Sequence, residues 1–419
     1  MSETRHGHFE AALLDHARAA FPALASPWAL FDNAGGSVPL AGVIERVRHY
    51  MSAHAVQLGA GYELSVRATS EVAAGHRAAE LLLGAEPGEV ALGSSTTINL
   101  KTLARALRPL FGPGDEVIIT DLDHESNIGP WRELAADGVR VLEWGYSAAT
   151  GALDASDLDA LLSSRTRLVC FTHCSNVVGS IHDTAAIIRR VHEAGALACV
   201  DGVAVAPHRL VDVKALDADF YAVSLYKVYG PHLGMLYGRR DCLLRAKSQN
   251  HFFFGEDELP CKLEPGGPAH ELAASLPAIP EYLLGLESRL PGGGNGTDRE
   301  RLARAFGAIA AHEEALAAPL LEWLGSRAGV RVIGEPGADR AGRVPTIAFT
   351  VDGRDSAAIP AALDSGKVAI RFGHFYARRA IERMGLLERN GIVRVSMAHY
   401  NTPAEVDRLI AALDLALGR

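Results

Sequence analysis

The stretch DFYAVSLYKVYGPHLGMLYG, residues 219–238, decides the fold class. It holds two short apolar runs, DFYAVS (219–224) and GMLYG (234–238), on either side of Lys227 and a Gly–Pro turn signal. Branched and aromatic residues without polar alternation predict strands buried on both faces. Just upstream, ALACVD (196–201) is a third such run and ends in Asp201. The same kind of run recurs further back as RLVCFT (167–172), VRVLEW (139–144), EVIIT (116–120) and EVALG (89–93). Helical patterns separate several of them, including 98–107 and 184–194. This alternation predicts an α/β fold with a mostly parallel, seven-stranded sheet covered by helices on both faces. Chemistry then belongs to the loops at the strands' carboxyl ends.

Outward from this core the pattern changes twice. QNHFFFGEDELPCKLEPGGPAH (249–270) is too long and irregular for an ordinary connection, which predicts a functional loop. Phe252–Phe254 within it read as an interface or core patch, or as a pocket wall. PGGGNGTDRE (291–300) reads as a boundary. Beyond it come a long helix over 299–328, strands VRVIG (330–334), TIAFTV (346–351), AIRFG (369–373) and IVRVSMA (392–398), and a helix from Pro403. The expected organisation is an N-terminal helical arm (1–27), a large domain (28–290) and a smaller C-terminal α/β domain (291–419).

Composition bounds the partners. The 419 residues are 48% hydrophobic and 22% charged with a net charge of −9, so large cores are available and a nucleic-acid partner is not expected. No apolar run reaches the length of a membrane span, and the N-terminus lacks the basic start of a signal peptide. The five cysteines, Cys170, Cys174, Cys199, Cys242 and Cys261, show no C-x-x-C spacing. They suggest neither a disulfide framework nor a zinc site, no metal is expected, and a reducing cytoplasm is the expected compartment.

Several polar residues fall just past strand ends. Lys227 follows DFYAVS among apolar and glycine neighbours, where desolvation lowers a lysine pKa and frees an amine for Schiff-base chemistry. Asp201 ends the neighbouring strand, and an acid there could keep a pyridinium protonated. His124, in DLDHESNIGPW, could stack on a planar ring, and Asn176, in HCSNVVGS, could bond a phenolic oxygen. Ser94 and Ser95, in GSSTTINL, precede a helix, and their hydroxyls with its N–H groups would suit a phosphate. Each residue alone also reads as a surface lysine, turn acid, surface histidine, turn asparagine or N-cap serine. Their recurrence at successive strand ends favours a shared site.

The segments FDNAGGSVP (31–39), DLDHESNIGPW (121–131), SNVVGS (175–180), VDGVAVAPHRLVDV (200–213), SLYKVYGPHLGMLYG (224–238) and VRVSMAHYNTPAEVDRL (393–409) resemble the class V aminotransferase and cysteine desulfurase family. That family belongs to the fold type I pyridoxal-phosphate enzymes, and GHFYA with SMAHYNT resembles its cysteine desulfurase-like subgroup. The resemblance implies that Lys227 carries the cofactor, that Asp201 pairs with its ring nitrogen, and that His124 stacks on the ring and moves protons. It further implies that Asn176 reaches the ring hydroxyl and that Ser94, Ser95 and Ser224 hold the phosphate. Arg394 would grip the substrate α-carboxylate, a bidentate task suited to guanidinium, with Asn33 nearby. A homodimer with shared active sites is implied as well.

Departures from the family pattern shape the functional expectation. Ala204 stands where a glutamine is frequent, Tyr226 where a histidine precedes the lysine, and Gly267 where the partner subunit usually supplies a threonine. Tyr226 could offer its hydroxyl to the phosphate. The phrase that holds the sulfur-accepting cysteine of desulfurases reads Arg371-Phe372-Gly373-His374-Phe375-Tyr376-Ala377. Tyrosine cannot hold a persulfide; His374 and Tyr376 could bind substrate, move protons or simply pack. The expected activity is C–S or related β-elimination from an amino acid without an enzyme persulfide. Transamination, or racemisation or cyclisation in a biosynthetic pathway, would use the same deprotonation at Cα.

Overall fold

The computed structural model describes residues 7–147 and 150–418, so the first six residues of the predicted N-terminal helix lie outside the described residues. Helix α1 covers Ala11–Ala19, α2 Ala41–His49 and α3 Glu63–Leu83. Seven strands form the large sheet: β1 (Val90–Gly93), β2 (Glu116–Thr120), β3 (Arg140–Trp144), β4 (Thr166–Thr172), β5 (Leu197–Asp201), β6 (Phe220–Ser224) and β7 (Gly234–Gly238). Their order is β1-β7-β6-β5-β4-β2-β3. All neighbours are parallel except β7, which runs antiparallel to β1 and β6. The seven predicted strands are all present, within a residue or so of the expected ends.

Both sheet faces are buried, as the unalternating apolar runs require. Val169, Phe171, Ala198, Val200, Tyr221 and Val223 share one core with α3, while Leu168, Cys170, Cys199, Phe220 and Ala222 share another with α4 (Thr96–Leu107). The period of two between these sets is the strand pleat itself. The register pairs Thr172 with Asp201 and Asp201 with Ala222, so the carboxyl ends of β4, β5 and β6 are level. Gly234 in β7 lets that strand lie against the start of α4. A Cβ there would sit 2.5 Å from the backbone of Ser95 and Thr96.

A four-stranded antiparallel sheet follows, with β8 (Val330–Ile333), β9 (Thr346–Val351), β10 (Arg371–Gly373) and β11 (Ile392–Ser396) in the order β8-β9-β11-β10. With α5 at Thr184–Glu193 and α6 at Asp298–Gly325, α6 spans both cores. Leu302, Phe306 and Ile309 pack with the large sheet, and Leu316, Leu320 and Leu324 with the small one. The last helix, α7 (Pro403–Leu417), begins at a capping box between Thr402 and Glu405. The predicted strand 369–373 is divided. Val368–Ala369 pair in parallel with Ala29–Leu30, and Arg371–Gly373 pair with β11. The N-terminal segment Ala29–Phe31 therefore packs in the small-sheet core, which carries the following residues to the mouth of the site. No helix among the described residues is long and apolar enough to cross a membrane.

Candidate active site

Lys227 follows β6 on a single 3₁₀ turn, Leu225–Lys227, and is only 7% exposed. Burial, reinforced by the positive charge of Arg394, lowers its pKa to about 8. Its amine is thus far easier to free of a proton than that of an exposed lysine. Asp201 lines the same recess from the end of β5. Its carboxylate accepts one hydrogen bond among the described residues, from the Val203 N–H at 2.9 Å, and burial raises its pKa. A buried carboxylate with so few donors is in want of a cationic partner.

The opposite end of the recess is rich in hydroxyls. Thr96 and Ser224 share a hydrogen bond of 2.7 Å, and Thr97 and Ser126 one of 2.6 Å. All four line the recess with Ser95, whose side chain caps α4 by accepting from the Ile98 N–H. The first-turn N–H groups of α4 have no partners within the helix, so this end suits an anion. Ser94 is not part of it; the side chain is exposed and does not line the recess. The helix starts two residues earlier than its apolar pattern, which moves the anion-facing positions from Ser94 to Thr96 and Thr97. Tyr226 lines the recess with its ring stacked on His232 at 4.9 Å.

His124 leans over the recess. Its Nδ1 accepts from the Ser126 N–H at 3.1 Å, which leaves the proton of a neutral ring on Nε2. Burial first, then Lys227 and Arg394, lowers its pKa to about 4, so the ring is neutral at physiological pH. Asn176 also lines the recess, but its side-chain amide donates to the Phe375 carbonyl at 2.9 Å and its main-chain carbonyl accepts from Arg394 at 2.9 Å. Only its remaining amide hydrogen is free for a ring oxygen. Pyridoxal phosphate fits this donor set: an amine for its aldehyde, a buried acid with a single hydrogen-bond donor for its ring nitrogen, a flat neutral ring, and hydroxyls with helix N–H groups for its phosphate.

Beyond Lys227 the recess opens into a cavity of about 690 Å³. Arg394, from β11, is buried at its far wall; its Nε has no hydrogen-bond partner among the described residues. Its guanidinium lies 3.8 Å from the Phe375 ring centroid and reaches Asp32 at 3.1 Å. Asp32 also accepts from Arg371 at 3.3 Å, so one carboxylate bridges two guanidiniums. Asn33 does not face the cavity. Its amide donates to the Leu30 and Ser396 carbonyls and to Asn401 Oδ1, while its oxygen accepts from the Tyr400 hydroxyl. It is a buried latch between the N-terminal segment and β11, and Ala34 and Gly35 line the cavity in its stead.

His374 and Tyr376 form part of the rim. Phe375 and Tyr376 have φ values of 49° and 60°, two consecutive non-glycine residues in the left-handed region. Such residues cost roughly 1–3 kcal/mol each and need external restraint. The restraints are the Asn176 amide on the Phe375 carbonyl, the Glu125 N–H on the Tyr376 carbonyl at 2.8 Å, and the Tyr376 N–H on His374 Nδ1 at 3.2 Å. They set the Tyr376 ring 5.2 Å from that of His124.

Comparison with known proteins places this arrangement. The sequence profile of the family Aminotransferase class-V matches residues 29–261 and 303–409. The chain belongs to the class V aminotransferase family. It is thereby an enzyme of a pyridoxal-phosphate-dependent family, with a fold type I α/β architecture. Among its relatives, the aminotransferase-like protein FGM3 of Gibberella zeae is 40% identical, over 96% of this chain and 98% of FGM3. The cysteine desulfurase-like protein ustD of Aspergillus flavus is 34% identical over 96% and 90%, respectively. The cysteine desulfurase CsdA of Escherichia coli superposes with a TM-score of 0.81 at 28% identity, over 96% of this chain and 98% of its own.

In this class V aminotransferase family member the rim carries Tyr376, the position that the sequence resemblance aligns with the acceptor cysteine of desulfurases. All five cysteines are free, and Cys261 does not line either part of the cavity. Cys174 does line the recess, a position the sequence reading did not single out. Burial raises its pKa to about 12, and its thiol donates to the Gly179 carbonyl at 3.4 Å, so it is no ready nucleophile. Thr96, Thr97, Ser126 and Asp32 were also missed. The two threonines directly follow the serines already suspected; nothing local marks Asp32 except its place beside Asn33.

Proposed function

We propose that the chain binds pyridoxal phosphate on Lys227 and eliminates a leaving group from Cβ of an amino acid, with no enzyme-bound persulfide. The observation that carries the reading is a buried, pKa-lowered Lys227 between Asp201 and a roomy cavity that ends at Arg394. When bound, the cofactor supplies an electron sink for charge that develops at the substrate's Cα. Asp201 holds the proton on the ring nitrogen by its uncompensated charge. Arg394, with an unpartnered Nε, takes the substrate carboxylate and so fixes which Cα bond faces Lys227. With the cofactor bound, the Lys227 amine would be the base for the substrate's Cα proton. Neutral His124, which lines both the recess and the cavity with its proton on Nε2, would donate that proton to the departing group. Thr96, Thr97, Ser224 and the start of α4 take the phosphate, with Tyr226 at its edge.

Tyr376 at the acceptor position, with Cys174 locked and Cys261 remote, supports direct elimination over sulfur relay. Transamination is the second reading, favoured by the 40% identity to a protein named aminotransferase-like. We also propose a cytoplasmic homodimer. The exposed apolar side chains Met51, Tyr62, Val66, Phe252 and Phe253 support the association. The test is a panel of amino acids given to the purified enzyme, with pyruvate, sulfide, ammonia and keto acids followed separately. Cysteine-fed enzyme is alkylated and weighed intact. Ammonia and keto-acid release without added acceptor, and no persulfide mass, is the expected result. A persulfide on the protein would overturn the elimination reading, and keto acid only in the presence of an amino acceptor would replace it with transamination.

A further inference from the structure

A second cluster of ligating side chains lies outside the cavity. His49 ends α2, His54 ends the turn of π-helix that continues it (Tyr50–His54), and Glu71 projects from α3. One ligand atom from each lies within 4.8 Å of the others. None of the three lines the Lys227 recess or the cavity beyond it.

The backbone explains why two histidines five residues apart meet. At about 100° per residue, an α-helix would turn them roughly 140° away from each other. The i→i+5 bonding of a π-turn brings such positions toward one side, and π-turns occur mostly at functional sites. Here the rings approach to 5.1 Å, edge to face. His54 is buried, and its Nδ1 donates to Glu71 Oε1 at 2.8 Å. That bond alone accounts neither for His49 nor for Tyr50. Tyr50, on the same turn, is 3% exposed and its hydroxyl has no hydrogen-bond partner among the described residues.

We propose that His49, His54 and Glu71 bind a divalent transition-metal ion, with Zn²⁺ the best match to two imidazoles and a carboxylate. Bonds of about 2.0–2.1 Å in a tetrahedron separate ligand atoms by roughly 3.3 Å. The His54–Glu71 pair has to open by about half an ångström, and exposed His49 has to close by at most about 1.5 Å, a side-chain rotation. Water completes the fourth position. The ion would clip α2 to α3 across residues 55–62, and it contributes to stability rather than to the chemistry at Lys227.

The test uses the full-length, cofactor-loaded enzyme with any affinity tag removed, stripped with chelator and titrated with ZnCl₂ by calorimetry and thermal unfolding. Expected are one tight Zn²⁺ per chain and a raised unfolding midpoint. His49→Ala removes an exposed ligand with little risk to folding, and Glu71→Gln keeps the shape and the bond to His54. Each is expected to weaken Zn²⁺ binding at least ten-fold and to abolish the midpoint shift, with unchanged cofactor absorbance. Wild-type enzyme that takes up no Zn²⁺, or uptake that neither variant weakens, would overturn the assignment.

Discussion

The floor of the cavity and its rim are built in different ways. Asp201, Ser224 and Lys227 sit at or just past the ends of adjacent, level strands, each buried, on backbone fixed by the sheet ladder. The rim is assembled from segments far apart in sequence: Asp32, Asn176, Phe375 and Arg394 hold one another across the gap between the two sheets, and Glu125 holds Tyr376. Its backbone is held in left-handed conformations at two successive residues, and Tyr376 is 67% exposed. The contrast separates duties. A floor fixed by the sheet can hold a cofactor and tune its protons, whereas a rim held by side-chain contacts can change its occupant without disturbing that floor. Tyr376, where the resemblance sets an acceptor cysteine, would be such a change under the proposed elimination.

If this division is right, damage to the floor costs the most. Asp201→Asn should leave a folded protein that binds cofactor but turns over roughly a hundred-fold or more slowly, a loss of about 3 kcal/mol or more in transition-state stabilisation. Steady-state kinetics beside the cofactor absorbance check this, and near-normal turnover would break the comparison at its strongest point. Arg394→Gln removes a charged donor to the substrate and the lesser of the two causes that lower the Lys227 pKa, but leaves Asp201 and the hydroxyls of the floor in place. The expected outcome is a KM raised about 10- to 100-fold, from roughly 1.5–3 kcal/mol of lost hydrogen bonding to charge, with cofactor affinity little changed.

The pH dependence sharpens the comparison further. The Lys227 pKa is lowered by burial to about 8, so its ammonium form prevails below that pH and its amine above it. Cofactor uptake by the stripped protein should rise about ten-fold from pH 6 to pH 7 and level off above pH 8, followed by stopped-flow absorbance. Continued rise toward pH 10 would mean that the lysine is not desolvated. The smallest effect belongs to the rim. Tyr376→Ala frees one face of His124 and should reduce turnover only a few-fold while leaving cofactor binding intact. A loss as large as that of Asp201→Asn would place Tyr376 among the proton-transfer groups.

The same division explains what the sequence disclosed. Buried strands announce themselves locally, so 116–120, 234–238 and 346–351 match their predicted limits. Of the two serines expected at the phosphate, Ser95 lines the recess and Ser94 is exposed outside it, because an N-terminus is fixed by its cap rather than by where apolar periodicity begins. Asn33 was expected at the substrate and is instead a latch, with Asp32 beside it facing the arginines. The two differ only in which way the chain leaves the short pairing of Ala29–Leu30 with Val368–Ala369, a contact between residues more than three hundred positions apart. No local pattern encodes such a pairing, and for the same reason AIRFG read as one strand instead of two.

The central claim is that Lys227 is the residue that carries the cofactor. Borohydride reduction of the loaded enzyme, followed by proteolysis and peptide mapping, tests it directly. A single pyridoxyl adduct on Lys227, in the peptide that contains SLYKVYGP, is the predicted result; an adduct on another lysine, or none, would contradict the account.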